Sequence, residues 1–127
     1  MIPFEGRVKW RMTAPYHVQL QLERKSAPSR VPSEMVVQGH VVRVFRGDGL
    51  VAPGDLVAFR LWICQPGDEP TGPAFIYYEP FMHATHIEAY LHGTPPDCKL
   101  AGYEFEVIRA PSDKPIMSVG QLQELYG

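Results

Sequence analysis

The sequence predicts a mainly β domain, a small OB-like barrel of five or six antiparallel strands with a short C-terminal helix; a β-sandwich is the alternative. Three observations carry the prediction. Apolar residues recur with period two in segment after segment, while a period of 3.6 hardly appears. The 11 glycines and 13 prolines of the 127-residue chain gather between those segments and leave no room for a long helix. Only the last segment opens with a helix start. The length fits one domain, residues 1–127, with no internal repeat and no linker.

The elements follow in order. Val8, Trp10 and Met12 alternate with Arg7, Lys9 and Arg11, which reads as a short edge or outer strand. Tyr16, Val18, Leu20 and Leu22 alternate with His17, Gln19, Gln21 and Glu23, the cleanest half-buried strand of the chain. Residues 25–34 hold two prolines and three serines and read as a loop. From Met35 to Arg46 the run is β-branched and nearly continuous, as in a strand buried on both sides or strongly bent, and Gly39 marks a bulge or bend. A turn-rich connection over 47–55 leads to a strand from Leu56 to Ile63, its antiparallel partner.

Residues 65–73 form another loop, followed by an aromatic segment, 74–81, that Pro80 interrupts. Ile87, Ala89 and Leu91 then face one way, and His86, Glu88, Tyr90 and His92 the other. Residues 93–97 make a turn, and 100–108 return as the partner strand. Ser118 with Gln121 is a capping-box pattern opening one or two helical turns that bear Leu122, Leu125 and Tyr126.

Formal net charge is −2, but residues 1–63 carry +4 and residues 64–127 carry −6. Folding one half against the other satisfies this dipole; head-to-tail association with a second copy of the chain is the other outlet. Cys64 and Cys98 are too few for a disulfide scaffold and lack the spacing of a zinc or redox motif, so the sequence predicts two reduced, buried thiols, with a single bridge as the alternative. The first residues lack a signal peptide's apolar stretch and no 18 apolar residues run together, so a cytoplasmic protein without membrane contact is the expectation.

Two stretches carry a resemblance. Gly39-His-Val-Val-Arg-Val-Phe-Arg-Gly47 followed by Gly54-Asp-Leu-Val-Ala-Phe-Arg-Leu61 resembles OB-like domains of the netrin or TIMP type. Glu88-Ala-Tyr-Leu-His-Gly-Thr-Pro-Pro-Asp-Cys98 with Ile108-Arg-Ala-Pro-Ser-Asp113 resembles a small family of uncharacterised bacterial proteins. The likeness spans roughly residues 36–113. It implies the barrel and no particular activity. With two cysteines the chain departs from the disulfide set of extracellular netrin-like modules, and it has no N-terminal cysteine of the kind through which inhibitors of that type reach a metal.

For chemistry the sequence offers little. Gly-x-Ser-x-Gly, a Walker loop and Gly-x-Gly-x-x-Gly are all absent, so neither a catalytic nucleophile nor a cofactor is expected. His83, His86, Glu88 and His92 fall within ten residues. On a strand His83 turns away from the others, and His86 and His92 stand about 20 Å apart, so a polar strand face is preferred over a metal-dependent enzyme using His86, Glu88 and His92. Asp48, Asp55, Asp68 and Asp97, each beside Gly or Pro, read as turn carboxylates.

The expectation is therefore a non-catalytic binding or accessory module, its partner a protein or a second copy of itself in a homodimer. The alternative is single-stranded nucleic acid, disfavoured by the overall charge. Candidate binding residues for the latter are Arg43, Arg46 and Arg60 with Trp62, joined by Arg7, Lys9, Arg11 and Trp10 if the early strands share a basic face. Tyr77 and Tyr78, with Phe75 and Phe81, form the candidate protein-binding face, and equally read as core.

Overall fold

Alternation became strand at each position where it was read between residues 16 and 108. The computed structural model describes residues 4–25, 33–47, 49–67, 69, 75–116 and 119–126. In chain order the elements are α1 (Phe4–Thr13), β1 (Tyr16–Lys25), β2 (Ser33–Arg46), β3 (Leu56–Cys64), β4 (Phe75–Tyr77), α2 (Tyr78–Met82), β5 (His86–Thr94), β6 (Asp97–Ile108) and α3 (Val119–Tyr126). β1 pairs with β2 and β5, β5 with β6, and β2 with β3, all antiparallel. One parallel step, Ala58 beside Asp97, joins β3 to β6 and closes the ring. β4 extends the sheet beyond the ring, parallel to β3.

Inward positions are those that alternation assigned. Val18 and Leu20, Met35 and Val37, Val57 and Phe59, and Ile87, Ala89 and Leu91 fill the barrel. Each large aliphatic side chain buried there contributes roughly 1.5–3 kcal/mol. β2 is the bent alternative of the two readings: its first half pairs with β3 and its second with β1, overlapping at residues 37–40. Gly39 sits at the overlap, where a Cβ would lie 2.7 Å from the carbonyl oxygen of Gln21, too near for any side chain. The ladder slips beside it, between Leu22 and Arg24, as a sheet turning a corner requires.

α2 closes one end of the barrel. Phe81 is fully buried and meets Phe105 edge-on, with ring centroids 6.1 Å apart. Lys25 Nζ donates to the carbonyls of Phe81, Met82 and Ala84 at 3.1, 2.8 and 2.7 Å, which satisfies backbone oxygens that the short helix leaves open. Pro80 falls in the helix's first turn, where its missing N–H costs nothing. The connection over 47–55 tucks Val51 against the core, and Asp55 Oδ2 accepts from the Ala52 amide, a turn carboxylate as read.

The first element corrects the sequence reading, since residues 7–12 belong to a helix and not a strand. The three-residue spacing of Val8, Arg11 and Ala14 puts all three on one buried face, against the outside of β6 and next to α3. An arginine in the middle of that face disguises it. The loop reading of 25–34 is trimmed as well: Lys25 ends β1, Ser33 begins β2, and residues 26–32 lie outside the described residues. β5 and β6 run further than expected, with only Pro95 and Pro96 between them. α3 forms where the capping pattern placed it; Ser118 and the side chains of Leu122, Leu125 and Tyr126 lie outside the described residues.

Candidate functional site

The outer face of the barrel has two fates. Over β1, β5 and the second half of β6 it is covered. Glu88, expected on a polar strand face with His86 and His92, is 1% exposed. Its Oε2 lies 2.9 Å from His17 Nε2, and its Oε1 accepts from Gln19 Nε2 at 2.8 Å and from the Ile116 amide at 3.2 Å. Gln19 also exchanges hydrogen bonds with Ser112. Burial works against the charge on Glu88, but these bonds outweigh it and hold the carboxyl below its ordinary value. The polar strand face is therefore the floor under the segment 109–116.

Next to it, Arg11 reaches out from α1 and donates to Glu104 at 2.7 Å and Glu106 at 2.8 Å, its guanidinium 5.1 Å from the centre of the Tyr90 ring. The Tyr90 ring stacks on His17 at 4.2 Å, and burial pushes its hydroxyl up to about 12. This cluster joins the basic first half of the chain to the acidic second half within one molecule. It is too enclosed to meet a ligand.

Over β2, β3 and the first half of β6 the face is open and forms a groove of about 810 Å³, within the usual size of small-molecule sites. Register sets its floor. Val36 lies opposite Arg60, Gln38 opposite Ala58, Ala58 beside Asp97, and Lys99 opposite His92. Glu34 pairs with Arg60 across the strands at 3.3 Å. Trp10, 46% exposed, and Tyr103, 42% exposed, form its aromatic wall. β6 bulges there: opposite β5 the register passes from Phe105 to Leu100 while β5 advances only from Ala89 to Leu91. The slack is taken up by Gly102 and Tyr103, both left-handed at φ 60° and 59°. A tyrosine held so is strained by about 1–3 kcal/mol, a cost that clusters at functional sites.

The residues singled out from sequence do not gather. Arg60 lines the groove. Arg43 lies seven residues along β2 from Val36, roughly 23 Å of strand, and meets Asp113 at 3.4 Å. Arg46 is half-buried under α1 and donates to the carbonyls of Ala14 and Arg11, capping that helix. Lys9 is exposed, Arg11 is buried, and the Arg7 side chain lies outside the described residues, so no basic face forms from them. Trp62 is half-buried on β3 outside the groove. Tyr77 is exposed and donates to Glu69, while Tyr78 packs half-buried against the core and Phe81 is wholly core.

His86 leans on the Thr85 hydroxyl, His92 opens on the groove and Glu88 is buried between His17 and Gln19. Among the described residues no three His, Cys, Asp or Glu side chains stand where they would hold one metal ion. Cys64 and Cys98 are buried and form no disulfide, and burial with the nearby charge of Asp97 pushes the Cys98 thiol up to about 11. No helix among the described residues is long and apolar enough to cross a membrane.

Sequence reasoning named Trp10, but as a stacking residue beside Arg7, Lys9 and Arg11 on a strand, and it missed Tyr103, Gln38, Lys99 and Asp97 as site residues. Gly102-Tyr103 inside an alternating run was the available signal, because glycine within a strand marks a bulge or a close approach. Comparison of the chain with protein-family models, with curated proteins and with solved structures gave no match.

Proposed function

We propose that this protein is a non-catalytic binding module that presents the β2–β3–β6 groove of an OB-like barrel to an extended ligand. The observation that carries the reading is the aromatic wall: two large rings stand exposed at one groove, one of them on a backbone conformation that costs stability. Connectivity supports it. The ring order β1-β2-β3-β6-β5, with a helix between the third and fourth strands of the ring, has the Greek-key character of the OB-fold, whose second and third strands form its ligand face.

The nucleic-acid alternative draws less support, because Arg43, Arg46 and Arg60 are dispersed and Arg60 is paired with a carboxylate. The test is an NMR screen of the full chain with small aromatic, polyol and anionic probe molecules. Shifts concentrated on Gln38, Arg60, Lys99 and Tyr103 are expected for at least one class. Shifts scattered over the surface, or centred on Tyr77 and Glu69, would overturn the reading.

A further inference from the structure

We infer that the ligand of this groove is a neutral oligosaccharide; the inference rests on the binding reading above and adds the chemistry of what binds. The charged groups along the groove cancel, Glu34 and Asp97 against Arg60 and Lys99. A nucleic acid gains its affinity from cations that neutralise successive phosphates. Here Arg60 is already paired with Glu34 at 3.3 Å, and Asp97 shares the floor with Lys99, so a phosphodiester chain meets as many carboxylates as cations. The groove mixes Val36, Ala58 and Leu100 with Glu34, Gln38, Arg60 and Lys99, so a wholly apolar peptide would leave the polar side chains facing no partner.

A sugar chain satisfies both halves of the site. Its hydroxyls donate and accept together, and the groove offers carboxylate acceptors, a guanidinium and an ammonium that only donate, and an amide that does both. Glu34 and Arg60 face each other across β2 and β3 at 3.3 Å, which places a carboxylate acceptor beside a guanidinium donor at the groove. The C–H faces of sugar rings need flat apolar surfaces. Trp10 and Tyr103 supply the surfaces: the indole is seated on Gly102, its Cδ1 2.3 Å from where a Cβ would stand, and Tyr103 is presented from the left-handed turn of the bulge. Aromatic side chains, with only two rotatable torsions each, give contact area at small entropic cost.

The experiment titrates the full chain with cellohexaose, xylohexaose, mannohexaose, chitohexaose and maltohexaose, and separately with a thymidine oligonucleotide, followed by amide shifts. At least one sugar is expected to bind saturably, moving Gln38, Arg60, Lys99 and Tyr103, with an affinity that does not fall as salt is raised. Trp10→Ala should weaken it about tenfold or more, Gln38→Ala should weaken it without touching the fold, and Trp62→Phe should leave it unchanged. The inference fails if none of the five sugars binds. It also fails, with the groove reading intact, if the oligonucleotide moves the same amides with a steep salt dependence, or if those amides move with protein concentration alone. Sugar binding that survives both Trp10→Ala and Gln38→Ala would sink inference and groove reading together.

Discussion

The indole of Trp10 fills the space in which a side chain on Gly102 would stand. A Cβ there would lie 2.3 Å from Trp10 Cδ1 and 2.4 Å from Cγ, on a backbone at φ 60°. α1 is thereby seated on the bulge of β6, and the groove wall depends on the contact. Gly102→Ala is expected to destabilise by about 1–2 kcal/mol from the left-handed backbone alone, and by more because the indole must leave. The checks are thermal unfolding and Trp10 emission. An unchanged midpoint with unshifted emission would contradict the seating described.

Arg11 joins the helix to the barrel electrostatically. Its side chain is 9% exposed between Glu104, 5% exposed, and Glu106. Burial disfavours the guanidinium's charge, but its bonds to Glu106 and Glu104 prevail and raise its affinity for the proton. Arg11→Ala removes the charge that compensates a buried carboxylate and should cost about 3–5 kcal/mol. Arg11→Lys should recover little of it, since one ammonium cannot replace a fork donating to two carboxylates and lying over Tyr90. Urea unfolding of the three proteins measures both. By contrast, the exposed Arg43–Asp113 pair should contribute under about 1 kcal/mol.

These two residues also explain what was legible in the sequence. The barrel's strands were readable because inward residues such as Val18 and Leu20 or Phe59 and Leu61 alternate with outward ones, and a period of two survives almost any tertiary context. Gly39 was readable as a bend because glycine inside a β-branched run has few other uses. α1 was not, because its buried face is Val8, Arg11 and Ala14: a buried arginine makes a helical stripe look like an alternating strand. The groove was hidden for a related reason. Its wall comes from Trp10 on that misread helix and from Tyr103 on a bulge, and its floor is a row of residues set by register between β2, β3 and β6. Glu88 was legible as part of a polar strand face, but its burial was not, for want of any signal that the 109–116 segment folds back over it.

Burial also governs the cysteines. Cys64 is 0% and Cys98 6% exposed, and neither is in a disulfide. Cys98 lines the groove, yet its thiol is pushed up to about 11, so little thiolate exists near neutral pH. Folded protein at mildly alkaline pH should therefore react only slowly with Ellman's reagent, and guanidinium-unfolded protein should release the colour of two thiols at once. Rapid labelling of one thiol in the folded state would show Cys98 to be more open than its surroundings imply.

Glu88 makes stability depend on acid. Its carboxyl is held below the ordinary value because, against the cost of burial, it accepts from His17, Gln19 and the Ile116 amide. A depressed carboxyl contributes stability that is fully present above the unfolded value, about 4.3, and is lost as pH falls through the lower folded value. The unfolded chain binds that proton first, so folding weakens on the acid side. Glu88→Gln should be less stable than the parent at neutral pH by about 1–3 kcal/mol, since the amide replaces one acceptor oxygen by a donor facing His17 or Gln19. Its acid limb should be flatter, and the two curves should converge at low pH. Urea midpoints of both proteins from neutral pH down past pH about 3 test this. Parallel curves for parent and variant would show that the carboxylate is not what binds the 109–116 segment to the barrel.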